Sequence, residues 1–588
     1  MNRFEDRRIL AAMLVGLGLL GLLAGRPARA TQPPAAVPKS ERQPARPAPQ
    51  SGPKISRFGK DVTITGYTQL KAKADGSGVT ILGPNTLVVL QDPRSRSTLR
   101  LHADTLTSRK EGTELLGRID LSGNVRYTIT QRTESGTQRT VEGTAGHAFY
   151  RRATNRLELT DGVRAALLDP ERLSGPGSLL AGRVTVEIGP GPYRYIIEGS
   201  NNDIRFTPRE NAGSAGRPQP GEVHIYGYES GEFVVGQRAQ FSGAGTTVDF
   251  DNPTDKTHTR FQANRIAAAF TPDHAALSRA EAEGGVRYAI ERPAPSGQGQ
   301  QAVKGTGARV TYDAQSSQVV LQGRVRADIT DSEALLRPAR MVADRVVAFL
   351  GTAEQPTHYK MTGEANQTRL RFTPRPPAGA ETVGSEGQPR NFPIGEVEVV
   401  GFTVGEYYPG QSLSLHGPAT TFGTFDRATR TRTQFQASHI LAAFARNRNV
   451  TNVEATGNVR FYVEQPSTAT EASGGLNKNL ESVTGTAQKV VFTNTPEAKK
   501  VVVQGKFVAH VRDPENLQGP GLIRGEAGGT LAEADTLTLD LSARPYEFDI
   551  SSPKQTASIE FQPRERSQAQ GTPAGKAPAS SKPGTKKP

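Results

Sequence analysis

The sequence predicts an all-β chain built from three tandem units, and three observations predict it. Apolar and polar residues alternate over runs of five to seven positions along the body of the chain, the pattern of half-buried strands. Turn-forming pairs punctuate those runs: Asp92-Pro93, Asp169-Pro170, Asn252-Pro253 and Asp513-Pro514. Finally, four sequence anchors recur in one order, three times over. Helical periodicity is scarce. Apart from the leader, the Ala-rich stretches Ala267–Phe270 and Ala442–Phe444 are too short for a stable helix.

The ends of the chain carry its charge. The 588 residues hold 72 Lys and Arg against 58 Asp and Glu, a net charge of +14. Residues 1–30 contribute +3, 31–60 contribute +5 and 567–588 contribute +4, which leaves +2 for residues 61–566. A nucleic-acid-binding domain concentrates its basic charge on the fold, so no nucleic-acid partner is expected. With no Cys, the chain has no disulfide, no thiolate metal site and no Cys nucleophile.

Residues 1–30 form the first element. Arg3, Arg7 and Arg8 precede an apolar run, Ile9–Gly25, and Ala28-Arg29-Ala30 supplies a small-x-small cleavage pattern. This is the layout of a signal peptide, or, uncleaved, of an inner-membrane anchor formed by residues 9–25. Export to the periplasm or cell envelope is the expectation. Residues 31–60, rich in Pro, Ala and Gln, read as a disordered linker, and 567–588 as a basic disordered tail that could tether to anionic lipid or polymer.

The three units follow. Each opens on an alternating run ending in Gly-aromatic: Val62–Tyr67, Val223–Tyr228 and Val397–Phe402. A Gly-x-Val-Arg-aromatic strand comes next, at Gly123–Tyr127, Gly284–Tyr288 and Gly457–Phe461. Val-x-Gly-Thr follows at Val141–Thr144, Val303–Thr306 and Val483–Thr486. Each unit closes on Phe and Pro two residues apart: Phe206 and Pro208, Phe372 and Pro374, Phe561 and Pro563. The boundaries therefore fall at 61–209, 221–375 and 395–564, with polar Gly- and Pro-rich linkers at 210–220 and 376–393. Within the units a shorter pattern, Ala-polar-x-aliphatic, recurs twice per unit, as at Ala103-Asp104-Thr-Leu106 and Ala343-Asp344-Arg-Val346. At one strand per roughly ten residues, each unit is expected to hold about fifteen strands.

The order Ala-Asp-x-Leu, Gly-Asn-Val-Arg, Val-x-Gly-x-Ala-x-x-x-Tyr (Val141–Tyr150, and Val303–Tyr312 in the second unit) and Leu-x-Leu-x-x-Gly-Val resembles the LptA/OstA-like family of lipopolysaccharide-transport domains. The resemblance covers most of residues 61–564. It implies tandem twisted β-jellyrolls, open at their ends, that dock edge to edge into an elongated structure with an apolar interior for acyl chains. It also implies lipopolysaccharide or another amphipathic lipid as cargo, membrane transport components as partners at both ends, and edge-to-edge self-association.

Alternation nominates the groove residues: Val125, Tyr127 and Ile129; Val286, Tyr288 and Ile290; Val459, Phe461 and Val463. The same positions serve equally well as plain sandwich core. Arg126, Arg287 and Arg460 recur on the opposite phase, where a solvated strand face explains them best. No catalytic motif is present: the nine His show no metal-ligand spacing, and there is no nucleophile elbow, P-loop or dinucleotide fingerprint. No carboxylate pair recurs at a fixed place in all three units. No enzyme activity, metal or cofactor is expected. The alternative to lipid transport is a structural or adhesive envelope protein whose β units are solid spacers.

Overall fold

The computed structural model describes residues 55–563 apart from short internal segments, the longest being 208–220, 376–394 and 467–479. The expected leader and anchor, the linkers between units and the basic tail lie outside the described residues. So does the spacer, except at its end: Ile55–Phe58 is a strand, paired antiparallel with Val62–Thr65. Alternation in Ile-Ser-Arg-Phe extends the first unit's opening run backwards, so the irregular stretch ends earlier than residue 60.

The described residues form 33 strands and no helix. The chain is all-β. No described helix is long and apolar enough to cross a membrane. The described residues fall into two compact units, one within Met1–Val383, Pro393–Phe422 and Ser438–Val453, the other within Gly384–Phe392, Gly423–Ala437 and Glu454–Pro588.

In the first unit the strand order repeats. Six long strands, Gly78–Asp92, Ser97–Glu111, Glu114–Arg132, Gln138–Arg151, Arg156–Leu168 and Gly177–Glu187, form a sequential antiparallel meander. Arg238–Asn252, Thr257–Phe270, Leu277–Pro293, Gln300–Asp313, Gln318–Asp331 and Leu335–Phe349 form a second one. At its close, each meander's last strand splits its pairing between two short strands. Gly177–Glu187 pairs with Arg194–Glu198 and Asp203–Phe206; Leu335–Phe349 pairs with His358–Thr362 and Arg369–Pro374. The described residues of 61–209 and 221–375 thus hold ten strands each, against the expected fifteen or so.

The shortfall has a local cause. Each long ladder changes register near its middle, for example between Ser122 and Val125 and between Glu283 and Val286. Gly123 and Asn124 take φ of 77° and 49°, and Gly284 and Gly285 take 81° and 62°. Two consecutive left-handed residues make a bulge, and a bulge bends a strand without ending it. The Gly-x-Val-Arg anchor is therefore a mid-strand bend.

The Ala-polar-x-aliphatic pattern faces that bend from the neighbouring strand. Ala103 and Leu106 are buried, and Asp104 Oδ2 accepts a 2.8 Å hydrogen bond from Asn124 Nδ2. Any Cβ at Gly123 would crowd the same carboxylate. Val-x-Gly-Thr has its own partner. Gly143 pairs across the ladder with Tyr127, and Gly305 with Tyr288. A Cβ on either glycine would come closer than 3.0 Å to the tyrosine facing it. The aromatic ring lies over the glycine, so the two anchors form one packing unit.

In the second unit the same logic continues with interruptions. Gly485 lies under the Phe461 ring. Leu480–Asn494 pairs with two strands, Lys499–Gln504 and Phe507–Arg512, separated at Gly505, whose φ is 83°. Here the bend has become a break. A buried ion pair, Lys499 with Asp426, stands in the core of this unit.

Candidate functional site

Two apolar cavities lie within the first unit, each where a meander hands over to its split strands and to the opening strands of the next repeat. The first has a volume of ≈ 140 Å³ and the second ≈ 250 Å³. Their walls correspond position by position. Tyr127, Ile129, Leu159, Ala165 and Phe206 line the first; Tyr288, Ile290, Leu321, Ala327 and Phe372 line the second. The closing Phe of each repeat is thus a wall of its cavity.

All nine nominated residues are buried, between 0% and 5% exposed. They are not all alike. Tyr127, Ile129, Tyr288 and Ile290 stand on cavity walls, whereas Val125 and Val286, next to the bends, are packed away from both. Val459, Phe461 and Val463 are buried in the second unit. Arg126, Arg287 and Arg460 are exposed.

Burial pushes the Tyr127 and Tyr288 phenols far above their usual range. Tyr127 Oη donates to the Arg164 carbonyl at 3.2 Å, which leaves its ring as the wall.

Each cavity has a polar rim, set by register rather than by sequence proximity. In the first repeat Gln131 faces Arg139 across the ladder, and in the second Arg292 faces Gln301. The Arg and the Gln have exchanged places. An aspartate completes each rim, Asp169 or Asp331, in a turn where the carboxylate accepts the N–H of Glu171 at 3.2 Å or of Glu333 at 3.0 Å.

The second rim is internally satisfied. Arg292 Nε donates to Gln301 Oε1 at 2.8 Å, and Gln301 Nε2 donates to Asp331 Oδ2 at 3.2 Å.

The first rim is crowded with cations. Arg139 Nε lies 2.9 Å from Asp169 Oδ2, Arg172 Nε lies 3.9 Å from it, and Arg139 Nη2 lies 3.3 Å from Glu171 Oε2. Burial, reinforced by Arg139, pushes the Arg172 guanidinium down to about 10. Burial raises Asp169 above the usual carboxylate range in spite of both arginines.

A motif that strand alternation hides lies at these rims: Asp169-Pro-Glu171-Arg172-Leu173, Asp331-Ser-Glu333-Ala334-Leu335 and Asp513-Pro-Glu515-Asn516-Leu517. Asp169 and Asp513 read from sequence only as Asp-Pro turns. Aligning the first two repeats by their Val-x-Gly-Thr anchors superposes Asp169 on Asp331, and a two-residue gap brings Asp513 onto both. In the second unit the corresponding pair is Gln465 and Glu481, both buried, with Gln465 Nε2 donating to Glu481 Oε2 at 3.2 Å.

One further pairing is invisible to sequence spacing. His416 and His439 stack at 4.3 Å, with Ser414 Oγ at 3.2 and 3.3 Å from their Nε2 atoms. Among the described residues, no three His, Asp or Glu gather closely enough to hold a metal ion. No family model matches the chain, and no curated protein matches it.

Proposed function

We propose that this chain is a non-enzymatic lipid carrier of the cell envelope, similar in kind to the LptA/OstA-like proteins, with its bent strands arranged as successive jellyrolls. It carries lipopolysaccharide or a related amphipath between inner and outer membranes after export, handing it between membrane components at its two ends. The observation that carries this reading is the pair of equivalent apolar cavities behind Tyr127 and Tyr288. Ligand sites typically measure ~300–1,000 Å³, so each cavity suits part of an acyl chain rather than a whole lipid. An edge strand adds support: all four residues of Gln69–Ala72 are exposed, and among the described residues the strand pairs with Gly78–Asp92 alone, as edge-to-edge assembly requires.

The test is photo-crosslinking in cells from a benzophenone amino acid placed at Tyr127 and at Tyr288, with mass spectrometry of the adduct. Lipid adducts at both positions are expected. Their absence from folded, exported protein overturns the carrier reading. A second reading, a solid structural spacer of the envelope, is favoured by Val125 and Val286, which are packed core rather than cavity wall. It predicts no adduct at either tyrosine.

A further inference from the structure

The two rims differ in hydrogen bonding, and the difference points to chemistry. Among the described residues, Arg172 Nε is buried with no hydrogen-bond acceptor: Asp169 Oδ2 lies 3.9 Å away and already faces Arg139 Nε at 2.9 Å. Four other arginines also bury Nε, but their side chains are 41–43% exposed, against 20% for Arg139 and 9% for Arg172. Water therefore serves the other four guanidiniums more freely. Arg172 as a whole residue is only 7% exposed, and it lines the first cavity. A buried donor left without an acceptor costs free energy that an incoming acceptor recovers.

The second rim has no such surplus, because Arg292 spends its Nε on Gln301. Position 172 is also where the Asp-x-Glu-x-Leu motif varies, with Arg in the first repeat, Ala334 in the second and Asn516 in the third.

Building on the carrier reading of the cavities, we propose that the first cavity selects an amphipath with an anionic oxygen head, whose oxygens meet Arg172 and Arg139 while its alkyl chain lies against Tyr127 and Phe206. The second cavity takes hydrocarbon alone. Arg139 and Arg172 crowd one aspartate, and Arg139 disfavours the charge on Arg172. Asp169, Glu171 and the Tyr195 hydroxyl are the other titratable groups at this end of the cavity, and Asp169 is raised by burial.

The experiment is calorimetric titration of the full chain with monomeric dodecanoate, dodecyl phosphate and dodecanol at neutral pH. A charge-assisted hydrogen bond adds roughly ten- to a hundredfold in affinity. One site should therefore bind at least one anionic amphipath about tenfold or more tighter than the alcohol. The tighter of the two anions names the head. Arg172→Ala and the double variant Arg139→Gln with Arg172→Ala, which adopts the second repeat's residues, should lose that preference and keep dodecanol affinity. Retained dodecanol binding also reports an intact fold.

If neither dodecanoate nor dodecyl phosphate binds the unmodified chain more tightly than dodecanol, the proposal is overturned without any variant. A head preference that survives the double variant overturns it too. Failure of all three amphipaths to bind would instead overturn the carrier reading itself.

Discussion

The first and second cavities share a scaffold and differ at the rim. Their walls match residue for residue, from Tyr127 and Tyr288 to Phe206 and Phe372. Their rims use the same three ladder positions, yet one presents two crowded arginines and the other a closed Arg-Gln-Asp chain. Walls depend on inward alternation and on the bend, and a change there costs packing. Rim residues stand at the ladder's edge, where a substitution leaves the fold intact. Duplication of a repeat thus keeps the layout of a site and frees its polarity and its size.

The largest expected effect tests whether the scaffolds are equivalent. Gly143 and Gly305 each lie beneath a wall tyrosine, and a methyl group there meets both the ring and a neighbouring strand's carbonyl. Neither contact can yield without opening the ladder. Overpacking of this kind typically costs 1–3 kcal/mol, and a backbone clash moves it to the upper end. Gly143→Ala and Gly305→Ala should each destabilise by about 3 kcal/mol in chemical denaturation. A loss under ~1 kcal/mol at either site would show that the ring is not seated on that glycine, and the equivalence would fall.

These glycines also mark what the sequence disclosed. Alternation over short runs is enough to establish strands, and the recurrence of Val-x-Gly-Thr with Gly-x-Val-Arg-aromatic is enough to establish repeats. Their cause was hidden, because Tyr127 and Gly143 meet only through the ladder register. The bend misled the strand count for the same reason. Alternation before Gly123 and after Asn124 looks like two strands, since a bulge adds a residue and resets the phase. Only the φ values of 77° and 49° identify one continuous, bent strand.

The rim was the least legible part. Asp169 sits in a turn-forming Asp-Pro pair, and nothing local announces that the ladder brings Arg139 beside it. Asp331 lacks even the proline. Wall residues follow from alternation, which a sequence displays directly. Rim residues depend on which strands are neighbours.

A smaller effect should separate the cavities by size. Ala165 and Ala327 occupy matching wall positions in spaces of ≈ 140 and ≈ 250 Å³. Leucine adds three carbons and their hydrogens. In the larger space these fill existing void, and cavity filling commonly adds 0.5–2 kcal/mol. In the smaller one they meet Tyr127 and its neighbours sooner and force rotamers to shift. Ala327→Leu should therefore stabilise by about 1 kcal/mol, while Ala165→Leu is neutral or costs about 1 kcal/mol. The difference in urea midpoint between the two variants is the readout. A reversed ranking would mean that the second cavity is not the roomier one.

The smallest effect concerns the residue behind each cavity. Tyr228 packs edge-on against Phe241, a wall of the first cavity, at 4.9 Å, and Phe402 holds the matching position in the next repeat. Both are 0% exposed. Their environments accept a ring; only one is asked to accept a hydroxyl. Tyr228 Oη is buried with no hydrogen-bond partner among the described residues, and burial drives its phenol far above the usual range. A hydroxyl stripped of water without a new partner costs about 1–3 kcal/mol. Removing it leaves a void smaller than a methyl group, which takes back part of the gain. Tyr228→Phe should therefore stabilise by about 1 kcal/mol, and Phe402→Tyr should destabilise by at least as much. Thermal and urea denaturation of both variants against the unmodified chain measure this directly. If Tyr228→Phe instead loses stability, the hydroxyl has a partner in solution. The polar surplus of the first cavity would then be smaller than its rim and back wall together indicate.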